Sequence, residues 1–453
     1  MTDHPDRASA GLTALIQRAV SVREEEIRTL LWSAVFFFFL LAAYYIIRPL
    51  RDEMGLAGGV WNIPWLFTGT MVAMLILHPP WVALVSKLPR TRAISITYRF
   101  FIVNLLIFFV LLKIAPEDAN IWIGRVFYIW SAVFSLFTVS VFWTFMTDTW
   151  QTAQGKRLFG FIGAGGTLGG IAGSGITALL ATRIGPVHLL LFSVVLLELA
   201  VQAMRYLSRM RQQGEGSIAE GAGLGDEGPM GDVPGAVLVE EPLGGGLLSG
   251  FSHLVQSPFL LGICAYMLLY PIISTVLYMQ QSVIVDAHFV DRAVRTAFFA
   301  RIDLAVNGLT LITQIFLTGK VIRAFGVGLT LAFLPLLSIV GFTGLGIWGT
   351  LSVFVVFQVS RRAGNYALAR PARETLWTVV SREDRFKAKN FVDTAVYRTG
   401  DQIGAWSQLI LHSMGFGAAG LAFSAIPVAI VWFFVALWLG RQQTRIINSR
   451  SAA

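Results

Sequence analysis

Charge is what this 453-residue sequence has least of: Asp, Glu, Lys and Arg together make up 13% of it, against 55% hydrophobic residues. Soluble domains carry about 25% charged residues, so this composition excludes an ordinary water-facing surface and reads as a membrane protein. Cysteine is nearly absent. The lone Cys264 lies in an apolar run, which excludes an intrachain disulfide, an iron–sulfur cluster and a thiolate zinc site. The six histidines stand singly and none has a partner at metal-ligand spacing, so no metal and no cofactor is expected. No Ser–His or Cys–His arrangement supports an enzyme. No strand followed by a loop ending in Gly-Lys-Ser/Thr is present either, and an ATPase engine has nowhere to sit. The first 27 residues mix Arg18 and Arg23 with Glu24, Glu25 and Glu26, with no short apolar core and small-residue cleavage site after them, so a cleaved signal peptide is not expected.

What is present is a succession of apolar runs long enough to cross a bilayer, with polar positions at helical period rather than the alternation of a barrel strand. A window of about 19 residues places spans near 28–47, 61–85, 93–114, 121–147, 158–182 and 187–204, then near 257–279, 296–321, 327–349, 351–373, 388–413 and 418–439. The expectation is an all-α membrane protein of twelve helices in two six-helix halves, 28–204 and 251–440. They are flanked by an N-terminal segment 1–27 and a tail 441–453, and joined by a stretch rich in Gly and acidic residues, 205–250, that reads as a flexible tether.

Lys and Arg set the expected orientation. Lys87, Arg90 and Arg92, then Lys156 and Arg157, then Arg205, Arg209 and Arg211 follow even-numbered spans of the first half. Lys320 and Arg323, then Arg382, Arg385 and Lys387 do the same in the second, whereas the connections after the ninth and eleventh spans carry neither Lys nor Arg. Both termini are then cytoplasmic, in a bacterial inner membrane. The same loops hold much of the formal charge of +9, so nucleic acid is not an expected partner. SKLPRTRA after the second span is echoed by VIRAFGVG after the eighth, and two six-span halves with matching basic hinges resemble the major facilitator superfamily.

Charges inside the spans are the informative residues, since each costs about 2.5–3.5 kcal/mol on insertion scales unless it meets water or a partner. Gln358, Arg362, Tyr366, Arg370 and Arg373 recur at helical spacing, with Arg361 beside them. Guanidiniums stay protonated and grip carboxylate or phosphate in a fork, so this stripe reads as an anion-binding wall. The alternative is that these arginines pair with acidic residues of neighbouring spans and hold the bundle together. Asp303, Asn307, Thr310 and Gln314 form a second polar stripe, in which Asp303 suits a counter-ion or a coupling-proton site and interhelical hydrogen bonding alone suits the amides. Asn390, Asp393, Tyr397 and Asp401 form a third, where Arg398 is placed to pair with Asp401. Tyr44, Arg48 and Arg51 share one face at the end of the first span, and Pro49 frees a backbone carbonyl at that level. An interfacial belt with snorkelling arginines is the other reading of that end. Gly165, Gly169 and Gly173 make one row of small residues and Gly166 and Gly170 another, a packing device for close backbones.

Four segments taken together resemble the ATP/ADP translocases of plastids and intracellular bacteria, and in particular their relatives in free-living bacteria: FFLLAAYYIIRPLRDEMG, FWTFMTDTWQTAQGKRLFG, MQQSVIVDAHFVDRAVRTAFFARID and ARPARETLWTVVSREDRFKAKNFVDTAVYRTGDQIGAW. The resemblance implies the major facilitator fold and nucleotide exchange. The family's lysine in an Arg-x-x-Lys-Asp pattern falls on Arg51, within the run from Arg48 to Asp52. Its basic pair falls on Lys156 and Arg157, preceded here by Gln154 and Gly155 in place of glutamate and alanine. Its Lys/Arg-Glu pair matches Arg373 and Glu374, its Lys-x-Lys matches Lys387 and Lys389, and Asp401 stands where the family tends to carry lysine.

The resulting expectation is a secondary transporter that moves an anionic solute, a nucleotide by the resemblance, by alternating access. Arg48, Arg51, Arg361, Arg362, Tyr366, Arg370, Lys156 and Arg157 are the expected substrate contacts. Asp303, Asp393, Asp401 and Asn307 are expected to serve coupling or counter-charge. Two alternatives keep the fold: a proton-coupled carrier of another anion, and a membrane scaffold that transports nothing.

Overall fold

The computed structural model describes residues 22–86, 89–221, 257–380, 388–389 and 391–452. Every regular element among the described residues is helical. The first half gives α1 (Glu24–Ala57), α2 (Ile63–Ser86), α3 (Arg90–Ile114), α4 (Glu117–Thr149), α5 (Thr152–Ile184) and α6 (Leu189–Gly221). The second gives α7 (Pro258–His288), α8 (Arg292–Phe316) and α9 (Thr318–Trp348). Next comes α10, an α-helical stretch Leu351–Gly364 continued by a π turn Asn365–Ala369 and a short helix Arg370–Leu376. α11 opens with a π turn Val392–Val396 and continues as Tyr397–Ser413, and α12 comprises Ala418–Phe423 and Ala425–Ala452.

Ten of these helices are long and apolar enough to cross a membrane, against the twelve spans expected. The two that fall short are α10 and α11, in which π turns leave unbroken α-helical stretches of only 14 residues (Leu351–Gly364) and 17 residues (Tyr397–Ser413). α6 runs to Gly221, so the first part of the expected tether is helical; the rest of it lies outside the described residues.

Burial divides the chain. One large apolar core is drawn from α1 to α6, with Ala297 the sole contributor from α8, and a second comes from α7 to α12. A third, small cluster joins Leu56, Val60 and Ile63 of the first half to Met279, Val285 and Phe299 of the second. The outside carries large apolar side chains such as Ile114, Val126, Ile315 and Phe434, each more than half exposed. A continuous apolar exterior is what a lipid-facing surface requires, and this is a multi-pass membrane protein.

The glycine rows on α5 do what their spacing predicts. A Cβ on Gly169 would stand 2.2 Å from the Phe38 carbonyl oxygen and one on Gly173 2.2 Å from that of Ala42, so α1 and α5 are in backbone contact. The second row turns to other neighbours, Gly166 to the Phe37 ring and Gly170 to Asn307 of α8. In the second half α11 meets α7 by the same device, with Gly404 against the Ile272 carbonyl. Across the seam between the halves α5 packs on α8 and α2 on α11, and α1 also reaches α8.

Candidate functional site

The centre of the seam is charged. Asp303, on α8 and 3% exposed, lies between two arginines from different halves: Arg48 of α1, with Nη1 3.7 Å from Oδ1, and Arg362 of α10, with Nη2 2.6 Å from the same oxygen. Tyr45 stands under Arg48, with the guanidinium carbon 5.8 Å from the ring centroid, and Tyr366 is a near electrostatic neighbour of both arginines. Pro49 has no N–H to give the Tyr45 carbonyl, so an acceptor is freed at the same level.

This cluster leaves hydrogen-bonding capacity unspent. Asp303 Oδ2, Arg48 Nε, Asn307 Nδ2 and Thr310 Oγ1 are buried with no partner, and Arg362 Nη2 touches Asp303 without the alignment of a hydrogen bond. Unpartnered buried polar atoms cost about 1–3 kcal/mol each, and their concentration on one seam marks a place where a polar ligand would complete the set.

Arg361 precedes Arg362 in sequence and meets different partners. It is 3% exposed; Nε donates to Ser338 Oγ at 3.2 Å, Nη2 donates to Ser274 Oγ at 2.8 Å, and the guanidinium lies over the Tyr270 ring at 5.5 Å. No carboxylate pairs with it among the described residues. Of the guanidiniums of Arg48, Arg361 and Arg362, only those of Arg48 and Arg362 meet a carboxylate among the described residues, Asp303 in both cases.

The expected stripe along α10 does not hold as a single wall. The π turn Asn365–Ala369 inserts an i→i+5 turn, so residues beyond it leave the face set by a 3.6-residue period. Arg370 is exposed, and Arg373 turns to the Met267 sulfur at 3.0 Å and to Glu374 at 3.6 Å. The turn is held from outside α10: Thr318 donates to the Ala367 carbonyl at 2.8 Å and Gln314 to that of Tyr366 at 3.4 Å. Gln358 binds Gln281 of α7 at 2.6 Å.

Other expected site residues lie apart from the cluster. Arg157 is clamped to Glu26 at 2.8 and 3.0 Å, and Gln154 donates to the same carboxylate, so this basic group fastens the start of α1 to α5 within one half. The side chain of Lys156 lies outside the described residues, as do Lys387 and Asn390. Asp393 is exposed on the π turn of α11. Asp401 makes the expected pair with Arg398 at 3.3 Å and accepts from Thr275 of α7 at 3.1 Å, a helix-to-helix tie inside the second half.

Arg51 belongs to a different assembly, at the end of the seam where α1 finishes. It pairs with Asp52 at 2.6 Å and lies over Tyr128 at 5.1 Å, while Tyr278 of α7 donates to the same Asp52 oxygen at 3.1 Å. One residue on, Glu53 is 1% exposed and takes a two-pronged bond from Arg292 of α8 at 2.8 and 3.1 Å. Trp61 stacks on His412 at 3.6 Å, and Thr68 donates to Gln402 at 2.9 Å while accepting from Trp406 at 3.1 Å. These bonds join the halves between the level of Arg48 and that end, and the small apolar cluster of Leu56, Val60 and Phe299 seals it.

The fold has solved counterparts. It is similar overall to that of several solved transporters. A bacterial homologue of the human lysosomal transporter Spinster, in an inward-facing and unoccupied conformation, matches with a TM-score of 0.55 at 14% identity over 94% of this chain and 98% of its own. A point mutant of the nucleoside transporter NupG matches with 0.60 at 12% over 92% and 99%. A POT family transporter in complex with 5-aminolevulinic acid matches with 0.62 at 12% over 92% and 97%. The sequence matches no protein-family model and no curated protein. At these identities the likeness concerns the fold.

Within this fold, sequence reasoning singled out Arg48, Arg362, Asp303 and Asn307, which the structure brings together. It missed the closure residues Glu53, Arg292, Asp52 and Tyr278. Each lies in or beside a quoted motif, but pairing Glu53 with Arg292 links positions 239 residues apart, for which a single sequence offers no signal.

Proposed function

We propose that this protein is a secondary transporter that carries an anionic solute by alternating access, with Arg48 and Arg362 as the principal anion ligands and Asp303 as their counter-charge in the empty state. The single observation that carries the reading is the Asp303 site: one buried carboxylate bridges guanidiniums of the two halves and leaves their other donors unspent. An entering anion competes with Asp303, takes one arginine from each half, and so couples its own binding to the relative position of the halves.

With the termini in the cytoplasm, as the distribution of Lys and Arg implies, the sealed end of the seam faces away from the cytoplasm. Arg370 and Asp393, toward the other end of α10 and α11, are exposed, which supports a state open inward. The host membrane in this reading is a bacterial inner membrane. Nucleotide is the favoured anion, because the quoted segments resemble the ATP/ADP translocases and because Arg48, Arg361 and Arg362 offer forked donors suited to phosphate.

The test is uptake of labelled ATP by proteoliposomes preloaded with ADP, with wild type beside Arg362→Ala. Exchange in the wild type that drops at least tenfold in the folded mutant supports a nucleotide antiporter. Wild-type protein that is well folded yet takes up no ATP removes nucleotide as the substrate, and the same vesicles with other anions and an imposed proton gradient then test the proton-coupled carrier.

A further inference from the structure

A second basic site lies on the outside of the bundle. Near the start of α3 and the end of α6, Arg92, Ser95 and Arg99 face Arg205, Ser208 and Arg209 across a groove of about 730 Å³. Arg99 is satisfied by Glu198, with Nη2 2.9 Å from Oε1, and the same carboxylate acts on Arg205 only through space. Among the described residues no carboxylate forms an ion pair with Arg92, Arg205 or Arg209, so the groove keeps three guanidiniums with free donors beside the hydroxyls of Thr91, Ser95 and Ser208.

The rest of the lining is apolar and faces outward. Ile96, Phe100 and Val103 are 51%, 57% and 52% exposed, and Ile107, Val110 and Ile114 carry the same face down the length of α3. Spacings of four and three keep these side chains on one stripe. A cluster of arginines thus stands at one end of a lipid-facing apolar strip, which matches a molecule with an anionic head and a hydrocarbon tail.

We propose that this groove binds an anionic phospholipid, with its phosphate between Arg92, Arg205 and Arg209, hydroxyl bonds from Ser95 and Ser208, and one acyl chain along the strip from Ile96 to Val103. The inference rests on the membrane-spanning fold and is independent of what the central site carries. The charge sits on α3 and α6 of the first half alone, so a bound lipid ties those helices together and belongs to the leaflet at which α1 begins. Each arginine in such a site strengthens attraction to an anionic lipid roughly fivefold.

The purified full chain in detergent would be titrated with phosphatidylglycerol, phosphatidylcholine and inorganic phosphate, and bound lipid counted by native mass spectrometry. Phosphatidylglycerol should bind at least about tenfold more tightly than phosphatidylcholine, and millimolar inorganic phosphate should not displace it. Removing all three charges (R92Q/R205Q/R209Q) should weaken that binding roughly a hundredfold. R323Q/R441Q/R445Q, with equal charge removed from the second half, should leave it unchanged. Arg209→Glu, at one exposed position, gives the same direction should the triple variant misfold. Equal binding of the two lipids, equal loss in both triple variants, retention of binding by R92Q/R205Q/R209Q, or displacement by free phosphate would each overturn the proposal.

Discussion

Arg361 and Arg362 are neighbours in α10 and occupy opposite electrostatic situations. Arg362 stands 2.6 Å from Asp303, a carboxylate 3% exposed, whereas Arg361, itself buried, makes do with two serine hydroxyls and a tyrosine face. A buried pair is balanced while empty and loses much when one member goes, because the other charge is stranded. A buried charge held by neutral dipoles strands nothing when removed, and it keeps its full attraction for an arriving anion. Under the proposed reading, the paired arginine serves the architecture of the empty protein as well as its ligand, and the unpaired one adds positive charge that the empty protein does not neutralise.

Breaking the pair gives the largest effect. Arg362→Ala should lower stability by about 3–5 kcal/mol, because Asp303 is left buried with only Arg48 at 3.7 Å. Adding Asp303→Asn should restore most of that loss, since the stranded charge disappears. Thermal melting of the two variants and the double mutant in detergent measures it. If the double mutant melts no higher than Arg362→Ala, the cost lies in packing and the comparison fails.

Arg361→Gln should be milder in the empty protein, within about 1 kcal/mol of wild type, because lost bonds to Ser274 and Ser338 are offset by relief of a desolvated charge. Its signature is in binding. If the proposed anion binding is right, stabilisation by the anion should weaken roughly tenfold or more in concentration, the scale of one hydrogen bond to a charged group. A melting series with and without the anion separates the two readouts; a drop in the empty state as large as that of Arg362→Ala would erase the distinction between the neighbours.

How far the sequence carries this contrast depends on what kind of contact is asked for. Membrane helices are legible because burial in lipid demands long apolar runs. The contact of α1 and α5 is legible too, since only small residues at i and i+4 let backbones meet, as Gly169 and Gly173 do. Arg48, Asp303 and Arg362 stand out because charge in hydrocarbon needs a reason. Sequence cannot tell Arg361 from Arg362, because their difference is made by Asp303 on α8 and Ser338 on α9 rather than by anything in α10. The π turn that removes Arg370 from the expected stripe is likewise invisible: it depends on Thr318 and Gln314, which take carbonyls that a regular helix would keep. Glu53 and Arg292 escape for the same reason, being joined across the closed end of the seam from opposite halves.

That closure offers an effect intermediate between the two already given and one still to come. Glu53→Gln removes the charge from a two-pronged bond whose other member, Arg292, has 46% of its side chain exposed. Water can take over the freed guanidinium, so the closed arrangement should lose only about 1 kcal/mol. Spin labels on either side of the seam, at Asn62 and Gly415, would report a several-fold rise in the open population at this end. An unchanged distance distribution would mean that the apolar cluster of Leu56, Val60 and Phe299 holds the end shut without help from charge.

Asp401 sharpens the comparison by supplying a buried carboxylate whose arginine is not buried. Arg398 has 36% of its side chain exposed, and Thr275 donates to the other carboxylate oxygen at 3.1 Å. Asp401→Asn keeps an acceptor for Thr275 and leaves Arg398 to solvent, so stability should change by less than about 1 kcal/mol, the smallest effect of the set. Arg398→Gln should be no more costly than Asp401→Asn if exposure decides the outcome. Melting of both variants beside Arg362→Ala tests whether it is the burial of both partners, rather than the presence of a carboxylate, that makes a pair costly to break. A loss at Asp401 equal to that at Arg362 would show that the carboxylate's own burial dominates, and the low exposure of Arg362 would then no longer explain why its pair matters most.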